Sequence, residues 1–360
     1  MPRDLENAAP EELAPLVAAV QANCDIADAR HAADLSLCNF LLQMREYYRW
    51  EHGLGFDATL DRAVLGRWLA AREQAWAALE ERDFGPLPVA GEVLPPFELE
   101  AINQHLCGVG LVYGAGWVDA GRAGFFLAEL LPDERDAGEA EDGLRVQHCG
   151  RELARGLFAP PAALQGGHTI VLRRESLARW IWERYEAFSL RRADGAFHAV
   201  ARAFGLHDTA SFVAALPGLC DEVATVLLLH ERGEFLAAAR LEPGWGVLRQ
   251  TQTDRRAAQW LRAVRDHVAD LSVTLPTLLA QGSATAIHFW FATFEGPRQA
   301  FFPALDAAYR AWCAGDGGRA LREACAVGAA HFEALAHELL ALGDPLAVAR
   351  RLADPGIVLA

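Results

Sequence analysis

Three histidines in the second half of the chain, His230, His267 and His288, sit where helical spacing turns them toward apolar neighbours. In "DEVATVLLLHERGEF" a helix advancing about 100° per residue puts Val223, Val226, Leu227, His230 and Glu234 on one face. The first three are apolar, so the face should be buried, with His230 and Glu234 adjacent at i,i+4. A buried glutamate is normally paired or metal-bound, because an isolated one costs several kcal/mol. Arg262 or Arg265 could supply the pair. The pattern is H-E-x-x-E, which lacks the second histidine of the zinc-protease motif. In "WLRAVRDHVADL", Trp260, Val264, His267 and Leu271 share a face, and Asp270 follows His267 by one turn. "AIHFWFATF" sets His288 among Ile287, Phe289, Trp290 and Phe291.

His230, Glu234, His267, Asp270 and His288 are therefore the candidate metal set. Imidazole with carboxylate and no thiolate suits a divalent ion of the non-haem iron or manganese kind, held between helices. The ferritin-like Glu-x-x-His motif is absent from these helices. Any one of these histidines reads equally as a hydrogen-bonded core residue. Their recurrence on three successive helices is what points to a shared site.

A second cluster lies in "NCDIADARHAADLSLC". Asp28 and His31, at i,i+3, could reach one ligand, whereas Cys38 lies seven residues beyond His31, about 10 Å along a helix axis. That is far beyond a Zn–S bond of about 2.3 Å, so a closed zinc site is excluded. Asp25 reads as the N-cap of a new helix, with Asp28 three residues on in a variant of the capping box. Asp28 and His31 are candidate catalytic residues if another element completes the site. Arg45 and Arg49, in "MREYYRWEH", are candidates for binding a substrate carboxylate. No serine occupies a G-x-S-x-G elbow, and neither a P-loop nor a dinucleotide glycine fingerprint is present.

The elements that must position these residues are mostly helices. Residues 1–84 read as N-terminal helices, including "APEELAPLVAAVQAN" and "DRAVLGRWLAAREQAWAALEER", and "DFGPLPVAGEVLPPF" reads as a linker. Residues 97–175 read as a small α+β module. It contains a short helix, a hairpin over "LVYGAGWVDAGRAGFFLAEL", an acidic loop "PDERDAGEAEDG", and strands "LRVQHC" and "HTIVLR" with a helix "RELARGLF" between them. Residues 176–345 read as a helical C-terminal domain. The fold class is α+β, predominantly helical: a small mixed α/β module followed by a helical domain.

Composition narrows the function. The 360 residues are 52% apolar and 22% charged, as expected of a globular chain with a sizeable core. A net charge of −15 repels phosphate backbones and anionic lipid, so neither nucleic acid nor membrane is the expected partner. Runs such as "VATVLLL" are far shorter than the roughly 20 apolar residues of a bilayer span. Seven cysteines without a C-x-x-C pair do not form a disulfide framework, and the N-terminus lacks an apolar signal region. A reducing cytoplasm is expected.

The phrases "NCDIADARHA", "MREYYRWE", "LLHERGE" and "RDHVADLSVTLP" resemble an uncharacterised bacterial family of hypothetical proteins, with an N-terminal mixed module and a C-terminal helical one. The likeness runs along most of the chain and carries no assigned activity. On the residues, the expectation is a metal-dependent enzyme acting on a small molecule, with a divalent metal, iron in the first instance, in the helical domain. A metal-dependent hydrolase would share that site. The rival is a non-enzymatic adaptor whose helical groove binds a protein partner.

Overall fold

A computed structural model describes residues 10–119, 122–131, 143–158, 160–191 and 194–360. The chain divides into two compact units, Met1–Glu183 with Asp208–Ala214, and Arg184–His207 with Ala215–Ala360.

The first unit opens with α1 (Pro10–His31), α2 (Leu37–Glu51) and α3 (Arg62–Ala77). Helix α1 is unbroken, which corrects the cap expected at Asp25. Leu16, Val20, Cys24 and Ala27 continue one buried stripe through that position. Asn23 exchanges two hydrogen bonds with the Gly85 backbone, at 2.7 and 2.8 Å. Caps do form where the helices begin: Ser36 accepts from Asn39 N–H, and Asp61 from the N–H groups of Ala63 and Val64.

The segment expected as a linker is instead a hairpin, β1 (Leu87–Val89) and β2 (Glu92–Leu94). Ala90 and Gly91 at its turn both have positive φ, 51° and 86°, as a twist-matched two-residue turn requires. Leu87 and Val89 anchor it in the core. Helix α4 (Leu99–Leu106) precedes the expected hairpin, β3 (Leu111–Asp119) and β4 (Arg122–Leu130), which pairs Leu111 with Glu129 and Trp117 with Ala123. The acidic loop falls outside the described residues, apart from Gly143.

β5 (Arg145–Arg155) absorbs "RELAR", so no helix stands there. β6 (Ala162–Gln165) and β7 (Thr169–Arg173) complete a five-stranded sheet in the order β3-β4-β5-β7-β6, antiparallel except between β5 and β7. Helix α5 (Arg174–Arg191) follows.

The remaining elements are helices, as expected for the C-terminal region: α6 (Ala196–Ala203), α7 (Thr209–Leu241), α8 (Gly244–Thr251), α9 (Arg255–Ala269), α10 (Leu275–Gln281), α11 (Ala284–Ala292), α12 (Pro297–Phe301), α13 (Ala304–Cys313), α14 (Arg319–Leu342) and α15 (Pro345–Leu352). A π-helical turn, Asp270–Thr274, joins α9 to α10. Along α14 the buried residues Leu321, Cys325, Gly328, Phe332, Leu335 and Leu339 recur at three and four residues, the stripe that drives an amphipathic helix inward. They meet Val264, Leu271, Phe301 and Phe302 in one core. α7 and α14 are long and apolar enough to cross a membrane by length and composition alone. Both supply residues to this core, among them Val226, Ala237 and Leu241 of α7.

Candidate metal centre

Helix α7 presents His230 and Glu234, one turn apart, and between them stands Gly233. A Cβ built on Gly233 would lie 2.7 Å from the carbonyl oxygen of Ala269 on α9 and 3.0 Å from its Cα. Glycine alone lets the two backbones approach so closely. Ala269 stands between Asp266 and Asp270, themselves at i,i+4, so the contact sets four polar side chains against one another.

His230 Nδ1 lies 2.8 Å from Asp270 Oδ1, leaving Nε2 on the side of Glu234, 3.9 Å from its Oε1. Asp270 Oδ2 accepts from Arg298 Nη1 at 3.1 Å, and Arg298 Nη2 donates to Thr293 O at 2.6 Å. Arg265 Nη2 pairs with Glu234 Oε2 at 2.9 Å. Asp266 is held more loosely, with Oδ2 4.0 Å from Arg298 Nε. One donor atom each from His230, Glu234 and Asp266 lie within 4.8 Å of one another, a group that could hold a metal ion. Their side chains are 17–21% exposed, against 1% for Asp270.

The electrostatics follow from this packing. Burial disfavours a charged ring at His230, but the Asp270 carboxylate outweighs it, with Glu234 and Asp266, and pushes its pKa up to about 10. Burial likewise opposes the ionised form of Asp270, yet His230 and Arg298 hold its carboxyl well below the usual range. Asp266 is pushed up to about 6 by burial, with Glu234 and Asp270 adding to it against His230 and Arg298. Of the two aspartates it is the less compensated.

An ion bonded at about 2.0–2.2 Å keeps neighbouring donors roughly 3–3.5 Å apart, so small side-chain rotations would close the group on one. One imidazole nitrogen and two carboxylate oxygens form a hard-to-borderline donor set, without thiolate.

The other two histidines of the sequence-derived set have separate partners. His267 is wholly buried and lies 2.9 Å through Nε2 from Arg298 O. Its ring stacks on Phe332 at 4.1 Å, and burial pushes its pKa down to about 4, so it is neutral. His288 Nδ1 is hydrogen-bonded to the Tyr309 hydroxyl at 2.7 Å, with Trp312 packed 5.0 Å away. The structure thus joins His230, Glu234 and Asp270, brings in Asp266, and leaves His267 and His288 outside the group. The expected convergence of three histidines is corrected accordingly. Spacing alone assigns the inward face of this helix to His267 and so does not single out Asp266. Two i,i+4 polar pairs, His230/Glu234 and Asp266/Asp270, each flanking a small residue, were the signal available.

In the first unit, Asp28 is buried inside α1 and its Oδ2 accepts from Leu157 N–H at 2.7 Å. Burial, against that hydrogen bond and with Asp25 adding, pushes its pKa up to about 7. His31 pairs with Asp34, at 3.1 Å, and so turns to a different partner. Arg45 Nε bonds Glu46 Oε1 at 2.8 Å. Arg49 donates through Nη1 to Gly55 O and Ala58 O, at 2.6 and 2.9 Å, and thereby ties down the loop after α2.

A mixed α+β domain followed by an all-helical domain with a half-buried histidine–carboxylate group is the class this architecture defines. The chain belongs to the DUF6866 family, a family of unknown function: residues 15–173 match its N-terminal domain and residues 178–350 its C-terminal domain. No curated protein and no solved structure matches the chain.

Proposed function

We propose that the helical domain binds a divalent metal, iron or manganese, through His230, Glu234 and Asp266, and that the protein is a metal-dependent enzyme acting on a small molecule. The observation that carries this reading is the meeting of three donor atoms from two helices within 4.8 Å. A bound ion would supply Lewis acidity, or activate water or dioxygen. The chain's own residues do the rest. Arg265 holds Glu234, Asp270 holds His230, and Arg298 steadies both aspartates. Three protein donors leave room in a coordination shell for water or substrate. His230 must release a proton from Nε2 to become a ligand, so binding should release protons and weaken as pH falls.

Without an ion, the same residues form an ion-pair network that merely locks the fold. Metal analysis separates the two. Untagged protein purified anaerobically without chelator should carry near-stoichiometric iron or manganese by ICP mass spectrometry. Folded His230→Ala and Asp266→Ala variants should lose it. Wild-type protein that takes up no metal even on reconstitution would end this reading and leave the helical adaptor.

A further inference from the structure

We infer that Asp270 is the positioning residue of this centre: it holds His230 by Nδ1, makes Nε2 the donor, and so sets how tightly an ion is bound. This rests on the metal reading above. An imidazole has two nitrogens, and a hydrogen bond to one decides which is left for a metal. In this chain the choice is made before any ion enters, because Asp270 Oδ1 is 2.8 Å from Nδ1 while Nε2 faces Glu234.

Asp270 is suited to hold a ligand rather than to be one. Both its oxygens are committed, Oδ1 to His230 and Oδ2 to Arg298 at 3.1 Å. Arg298 is itself fixed at two points: its guanidinium donates to Thr293 O, and its carbonyl receives His267 Nε2–H at 2.9 Å. His267 therefore acts at a distance. It pins the residue that pins Asp270, which accounts for a neutral histidine at 0% exposure.

The backbone supports the same assignment. Asp270 begins the π-helical turn Asp270–Thr274, a local departure of a kind that recurs at functional sites. The Gly233–Ala269 contact lies one helical turn or less from all four polar side chains, so it fixes their spacing directly. A carboxylate behind a metal-binding histidine typically changes metal affinity about 10- to 100-fold when removed.

The test uses the full chain and cobalt(II) alone as the probe. Titration followed by the cobalt absorption bands should give affinities in the order wild type, Asp270→Asn, Asp270→Ala. Asn still accepts from Nδ1–H but carries no charge, whereas Ala does neither and should bind about 10- to 100-fold more weakly. A purely structural role would not fix the liganding nitrogen. Zinc-loaded wild type labelled with ¹⁵N-histidine should therefore show His230 metal-bound at Nε2 and protonated at Nδ1. That spectrum decides the matter even if a variant fails to fold.

Metal on Nδ1, or equal affinity in all three folded proteins, overturns the positioning role and leaves the metal site standing. No cobalt or zinc binding by wild type overturns the metal reading, and this inference with it.

Discussion

Asp28 and Asp270 are both buried aspartates, and their surroundings drive them in opposite directions. Burial raises the pKa of Asp28 from 3.8 to about 7, against one backbone N–H and with no arginine among the described residues in hydrogen-bond contact. Between those values the folded chain holds more protons than the unfolded one, so this group's effect is to lower stability as pH rises from about 4 to 7. Three pKa units correspond to about 4 kcal/mol at about 1.4 kcal/mol each, an upper bound for one group. Asp28→Asn keeps an acceptor for Leu157 N–H and removes the titration. Its stability relative to wild type should rise by roughly 2–4 kcal/mol between pH 4 and 8, read by urea denaturation at each pH; a constant difference would refute the assignment. Asp270 has the reverse sign: its contribution is present above the unfolded value and is lost as pH falls. The pairing of His230 with Glu234 was legible from spacing, because i,i+4 residues on any helix are neighbours. Which of Asp266 and Asp270 would face the free nitrogen was not, since that depends on the rotation of α9 against α7.

At the scale of elements, Gly233 sets two effects against each other. Helix propensity favours alanine over glycine by about 1 kcal/mol in a helix interior. A Cβ 2.7 Å from Ala269 O must instead push backbone away from backbone, and overpacking of this kind typically costs about 1–3 kcal/mol. Packing should win: Gly233→Ala is expected to lower the urea midpoint and to weaken cobalt(II) binding together. A higher midpoint would show that α7 and α9 do not touch there. A parallel case is Arg298→Lys, which keeps the charge and loses the fork that bonds Asp270 and Thr293 O at once. It should reduce metal affinity with little change in helix content by circular dichroism. In two elements tertiary contacts override the local pattern. "RELAR" has helical composition, yet it continues β5 because Ala154 pairs with Leu127 and Glu152 meets Arg173 Nη2 and Ser176 Oγ at 2.8 and 2.6 Å. "PLPVAGEVL" has the Pro and Gly of a linker, yet alternate residues Leu87 and Val89 found a core to enter.

For the molecule as a whole, the chain carries 33 arginines and no lysine. Arginine's planar fork suits paired, buried sites such as Arg173 on Glu152 and Arg298 on Asp270. The acidic excess of −15 predicts that the protein passes through heparin at physiological salt; firm retention would reopen nucleic-acid binding. The sequence by itself determined the class of fold, the near-complete helicity of the C-terminal region, and a histidine–carboxylate pair on one helix face. Each of these depends on periodicity within a single element. Only the tertiary structure decided that Asp266 joins that pair, that His267 and His288 belong to other partners, and that Asp28 is an unbroken helix's buried acid. Those outcomes depend on which helix faces meet, and that choice is made by contacts such as Gly233 on Ala269 between residues 36 positions apart.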